Sequence, residues 1–119
     1  MQSRYLLDTN VFVYAFNKGL ELPEAYYCTT EISKAEILSF PDITAEEKAY
    51  AEELFSNLKI LDANETIKTN AKLIGEKYNL TISDATICAT AYAYDLTLIT
   101  NDPTLHQVTE IQIEHFYFS

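Results

Sequence analysis

The chain has 119 residues, enough for one hydrophobic core and too few for two, and its 48% apolar and 22% charged content is globular rather than disordered. A formal net charge of −10 excludes a binder that grips nucleic acid chiefly through phosphates, unless divalent cations reverse the sign locally; it also favours a basic protein partner. No apolar stretch reaches bilayer length and the N-terminal MQSRYLLDTN lacks the apolar segment of a signal peptide, so the expectation is a cytoplasmic protein with no membrane partner.

In chain order, RYLL (4–7) reads as a short strand. The apolar run after Asp8 reads as a helix over 11–17, closed by Gly19 in the left-handed conformation. AYYCT (25–29) is a second strand, and a helix through 34–40 stops at Pro41. TAEE (44–47) has capping-box form, and apolar residues recur behind it at Ala51, Leu54, Phe55 and Leu58, one helical face. KILDA (59–63) is the third strand. Asn64 caps a helix over 65–78 that buries Ile67, Ala71, Ile74 and Tyr78. Ser83 caps a helix from 84 to about 94, apolar on nearly every side and therefore central. LTLIT (96–100) and IQIEHF (111–116) are the last strands. Apolar strands alternating with helices imply an α/β fold, with a mainly parallel sheet covered on both faces and one domain over 1–119.

Most acidic residues fall on solvated helix faces; four do not. Asp8 follows strand one directly, Glu36 lies in the apolar stretch AEILSF after strand two, Asp84 opens the buried helix, and Asp102 comes two residues after strand four. In a parallel sheet the residues after strands one, two and four gather at the carboxyl edge, where open α/β sheets carry their sites. Each residue has an ordinary structural reading: an Asx turn or cap for Asp8 and Asp102, and a dipole-favoured N1 position for Asp84. Glu36 resists one, because an ionised carboxylate on an apolar helical face is costly unless paired or metal-bound. Cys28 and Cys88, sixty residues apart, read as buried free thiols, and His106 and His115 as surface or structural residues.

LLDTNVFVYAF, then SKAEIL, then LTISDATICATAYAYDLTLITND resembles, in order and over nearly the whole chain, the motif series of PIN-domain nucleases. Within them it is most similar to VapC-like toxins of toxin–antitoxin pairs. The resemblance implies a PIN-like three-layer fold with strand order 3-2-1-4-5. It makes Asp8, Glu36, Asp84 and Asp102 the catalytic, metal-binding set, with Asn10, Thr100 and Asn101 in support. It further implies a ribonuclease using one or two Mg²⁺ or Mn²⁺ ions, an RNA substrate, a cognate antitoxin and a homodimer. The chain departs from the family pattern in its short NKGLELPEA segment (17–25), in Leu105 where an aromatic is common, and in Asp95 where Gly is frequent.

Hard oxygen donors suit Mg²⁺ or Mn²⁺, and such ions activate water and stabilise the attacking and leaving oxygens of a phosphodiester. They also answer the charge problem, since a cation turns an acidic pocket into one that accepts phosphate. Two rivals fit less well. A haloacid-dehalogenase-type phosphatase needs a second Asp where the chain has Asn10, and a receiver-type switch needs an acidic pair at the end of strand one and a Lys after the last strand. A PIN-like interaction module without catalysis is the non-enzymatic alternative.

Overall fold

The structure is a computed structural model that describes residues 4–9, 11 and 25–115. The helix expected over 11–17, its closure at Gly19, Asn10 and residue 116 of the last expected strand lie outside those residues, save Val11.

Strands β1 (Arg4–Leu7), β2 (Tyr26–Thr30), β3 (Lys59–Leu61), β4 (Thr97–Ile99) and β5 (Ile113–Glu114) form one sheet in the order β3-β2-β1-β4-β5. Every pairing is parallel, with Leu6 opposite both Cys28 and Leu98. The order places β1 and β4 side by side at the point where the winding reverses, so the crevice of the fold opens between the residues that follow them.

Four α-helices lie among the described residues: α1 (Glu31–Leu38), α2 (Ala45–Ser56), α3 (Glu65–Tyr78) and α4 (Ile82–Ala93). Strand alternation sorts the core into two halves. Leu6, Cys28 and Leu98 point to one face and pack with Ile67, Ala71 and Ile74 of α3 and with Ala85, Cys88 and Ala89 of α4. Leu7 and Ile99 point to the other face and meet Ile37 of α1, Ala51 and Phe55 of α2, and Val11. Covering both faces is what permits β1 and β4 to carry consecutive apolar residues, Leu6–Leu7 and Leu98–Ile99. Seven consecutive residues of α4, Ala85 through Ala91, are buried. Gly75 allows α3 to approach α4 closely, since a Cβ there would stand 3.3 Å from Ala85 Cβ.

Helix ends follow local chemistry. The Thr44–Glu47 capping box forms with both of its hydrogen bonds, and Asn64 Oδ1 accepts from Ile67 N at 2.9 Å. Two helices begin earlier than the sequence reading placed them. Thr30 caps α1, accepting from Ser33 N at 3.0 Å, so this helix starts directly from β2 and ends at Leu38, short of Phe40. Thr81, not Ser83, caps α4, which moves Asp84 from N1 to N3. A β-branched Thr at a strand end serves equally as strand residue and as cap, and that ambiguity explains the first shift; for the second, Thr81 and Ser83 are both cap-forming residues two positions apart.

The exit from α4 is a Schellman turn: Leu96 N donates to Ala91 O and Asp95 N to Tyr92 O. Asp95 takes φ 53°, the left-handed conformation that Gly commonly supplies. Buried Leu96 packs in the same core half as Ala91, and the turn delivers the chain straight into β4.

Candidate active site

The carboxyl edge of the sheet is built from three chain segments and the first turn of α4. Asp8 is the innermost group, only 3% exposed. Its N–H extends the ladder to Ile99 O at 3.0 Å, and its carbonyl accepts from Val11 N at 3.0 Å, which fixes the backbone as it leaves β1. Its Oδ1 accepts from Thr9 N at 2.8 Å and its Oδ2 from Thr100 Oγ1 at 2.7 Å. Thr100, fully buried after β4, also accepts from Asp102 N at 3.1 Å. One hydroxyl thus ties the side chain of Asp8 to the backbone of Asp102.

Asp102 is half-buried, and its Oδ1 accepts from Thr104 N at 2.9 Å, so the Asx-turn role read for it is real and engages one of its oxygens. Asp84 is also half-buried, in the first turn of α4. Glu36 requires a correction. It is exposed on α1, whose buried residues are Ser33 and Ile37, so the desolvation argument for it does not hold. It reaches the site differently: Ser83 Oγ, freed from capping, donates to Glu36 Oε1 at 2.6 Å and links α1 to the start of α4.

The charges act on one another. Burial pushes the Asp8 carboxyl above its ordinary value, against the bonds from Thr100 and Thr9, and the negative fields of Asp84 and Asp102 push it further. Asp84 is raised by burial and then by Asp102, with Glu36 adding to the effect and its bond to Thr81 opposing it. Beneath them the Cys88 thiol is pushed up to about 12, by burial first and then by Asp84 and Asp8, so it is an inert core residue. The structure therefore brings Asp8, Asp84 and Asp102 within electrostatic reach of one another, while Glu36 joins through Ser83 and Asp84.

Among the described residues no basic side chain forms an ion pair with these acids. The ion pairs among the described residues, Lys68–Glu65 and Lys77–Glu110, involve none of the four acids. Among the described residues no three acidic, imidazole or thiol groups close into a ready ligand cage. The donor set nonetheless fits a hard divalent cation in kind, being all carboxylate oxygens, mutually repelling and without an ion-pair partner among the described residues.

Several residues that hold the site went unassigned in the sequence. Thr9 Oγ1 and Thr30 Oγ1 both donate to Ser33 Oγ, at 2.8 and 3.1 Å, stitching the end of β1 to the start of α1. Cap spacing announces the Thr30–Ser33 pair, but no spacing rule announces Thr9, which joins it from 24 residues away. Thr100→Val keeps the shape but removes the donor to Asp8 and orphans Asp102 N. It is expected to cost about 1–3 kcal/mol in urea unfolding, with Thr100→Ser near wild type; equal stability of the Val variant would show that the bond carries nothing.

The family model described as PIN domain matches residues 5–111. The chain belongs to the PIN domain family. A comparison with curated proteins by sequence gives no match. Among solved structures, the PIN fold of this chain is similar to a chain of the DNA-bound VapBC from Salmonella typhimurium, at TM-score 0.83 and 19% identity over 95% of this chain and 98% of that one. VapBC2 from Rickettsia felis, bound to a DNA fragment from its promoter, gives 0.77 and 23% over 94% and 98%. VapBC-5 from Mycobacterium tuberculosis, a member of the VapBC family of toxin–antitoxin systems, gives 0.69 and 19% over 96% and 99%. At these identities the likeness concerns the fold.

Proposed function

We propose that this PIN-domain protein is a metal-dependent endoribonuclease and the toxin of a VapBC-like toxin–antitoxin pair, with residues 1–119 forming one such domain. The observation that carries the reading is the gathering of carboxylates at the switch point of the sheet, unpaired with any base among the described residues, where Asp84 and Asp102 raise the cost of charging Asp8, and Asp102 and Glu36 that of charging Asp84. Membership of the PIN family and the likeness to chains of VapBC complexes support it.

In this reading Asp8, Glu36, Asp84 and Asp102 hold Mg²⁺ or Mn²⁺. The bound cation would supply the positive charge that lets an acidic pocket accept a scissile phosphate and the acidity that ionises water at neutral pH. The chain's own residues orient the ligands. Thr100 and Thr9 aim the two oxygens of Asp8, the Asx turn aims Asp102, and Ser83 holds Glu36 against α4. The resemblance adds Asn10 and Asn101 as supporting residues.

The net charge of −10 gives the partner its chemistry: an antitoxin whose contacting segment is basic and approaches the carboxylates. The same reading places the protein in the cytoplasm, with an RNA substrate and a second copy of the chain as a further partner. No helix among the described residues is long and apolar enough to cross a membrane.

The deciding experiment strips the protein of metal with a chelator and follows RNA cleavage as Mn²⁺ or Mg²⁺ is restored. Cleavage should return with the metal and fall by roughly two to three orders of magnitude in Asp84→Asn. Neither cleavage nor calorimetric Mn²⁺ binding at millimolar concentration would leave the interaction module as the better account.

A further inference from the structure

His106 and His115 have no part in the site as described, yet both lean on the turn that carries it. Their rings stack with centroids 4.4 Å apart and planes 21° from parallel. His106 Nε2 lies 2.9 Å from the Thr100 carbonyl oxygen, and His115 Nδ1 lies 3.0 Å from Asn101 Oδ1. A carbonyl oxygen only accepts, so His106 must carry its proton on Nε2.

The need for this bond follows from the sheet. β4 pairs with β1 as far as Leu7 and Ile99, and the last rung runs from Asp8 N to Ile99 O. Beyond it, the N–H and C=O of Thr100 both face β5: Thr100 N finds Glu114 O at 3.1 Å, and β5, which runs over Ile113–Glu114, ends short of the Thr100 carbonyl among the described residues. Thr100 is fully buried, and a buried carbonyl left without a donor is costly. His106 supplies a donor to that carbonyl from the turn after β4. It is delivered there by a compact turn in which Leu105 N donates to Asp102 O and His106 N to Pro103 O, and which fully buried Leu105 anchors in the core.

We infer that His106 is a positioning residue for the carboxylate pair Asp8–Asp102. Its Nε2–H pins the outer side of Thr100, while the Thr100 hydroxyl, on the inner side, sets both the Asp8 carboxylate and the Asp102 backbone. His115 braces the ring by stacking. The role rests on the metal-nuclease reading, and the experiment separates the two.

Long-range ¹H–¹⁵N spectra of the intact protein read the tautomer directly, and calorimetry with Mn²⁺ alone reads the ligands. His106→Phe keeps a stacking ring without the donor, whereas His106→Gln returns an N–H at nearly the same reach. The expected result is an Nε2–H tautomer and Mn²⁺ affinity weakened roughly ten-fold in His106→Phe, recovering to within about two-fold in His106→Gln. In cleavage assays the Phe variant should lose kcat with KM for RNA unchanged. A bare Nε2, or Mn²⁺ binding by His106→Phe equal to wild type, overturns the inference while the wild-type isotherm still upholds the nuclease reading. A wild-type protein that binds no Mn²⁺ overturns the reading itself, and the positioning role with it. If His106→Phe does not fold, the tautomer in the intact protein decides.

Discussion

Asp8→Asn should lower RNA cleavage by roughly three orders of magnitude at saturating Mn²⁺ while the far-UV spectrum stays that of the wild type. Asn has the shape of Asp, and its carbonyl can keep the bond from Thr9 N. What it lacks is the charge. Asp8 is the most deeply buried of the four acids and the one on which Asp84 and Asp102 both act, so its loss removes the centre of the constellation rather than its rim. The substitution also relieves a buried carboxylate, and so separates catalysis from stability: activity should collapse although the metal-free fold is no weaker. Initial rates on a defined RNA, with protein resolved from contaminating nuclease, make the measurement. Activity within about ten-fold of wild type would contradict the role assigned to Asp8, because ligands of this kind carry more than that.

How far the site could be read in advance differs from residue to residue. The α/β class and the helix over 65–78 follow from periodicity and caps alone, since Asn64 and the Ile67–Ala71–Ile74 stripe leave little choice. The strand order came from the motif resemblance, because no local rule says which strands lie side by side. Asp8 and Asp102 were legible because one directly follows a strand and the other comes within three residues of a strand end, and a parallel sheet sends such residues to one edge. Glu36 was singled out for a reason the structure removes: helix α1 begins at Glu31, and its buried face runs through Ser33 and Ile37, which leaves Glu36 exposed. Thr100, Ser33, Ser83 and His106 hold the acids in place through hydrogen bonds between distant segments. Such contacts depend on the completed fold and leave no periodic trace in the chain.

Mn²⁺ is expected to raise the melting temperature of the wild-type protein near neutral pH and to lose that effect on acidification. Asp8 and Asp84 are both raised above their ordinary carboxylate values in the folded state, so the metal-free fold holds protons that the unfolded chain has already released. The slope of stability with pH is then negative. Their contribution is fully present below the unfolded carboxylate pKa and is lost as pH climbs through the raised folded values. Exposed Glu110 pulls the opposite way, held low by Tyr78 and then Lys77, but solvent screens it and it is common to every variant. The comparison that isolates the site is therefore wild type against Asp8→Asn/Asp84→Asn, whose metal-free stability should decline less across the same window. Metal binding needs the ionised carboxylates, so it acts where the fold is penalised most. At a hundred times its Kd it adds about 2.7 kcal/mol, which for a domain of this size is on the order of 10 °C. Thermal unfolding followed by circular dichroism at several pH values, with and without Mn²⁺, reads both effects. A wild-type shift no larger than that of the double variant at neutral pH would mean that the cation binds elsewhere or not at all, and that the crowded acids are only a tolerated cost of the fold.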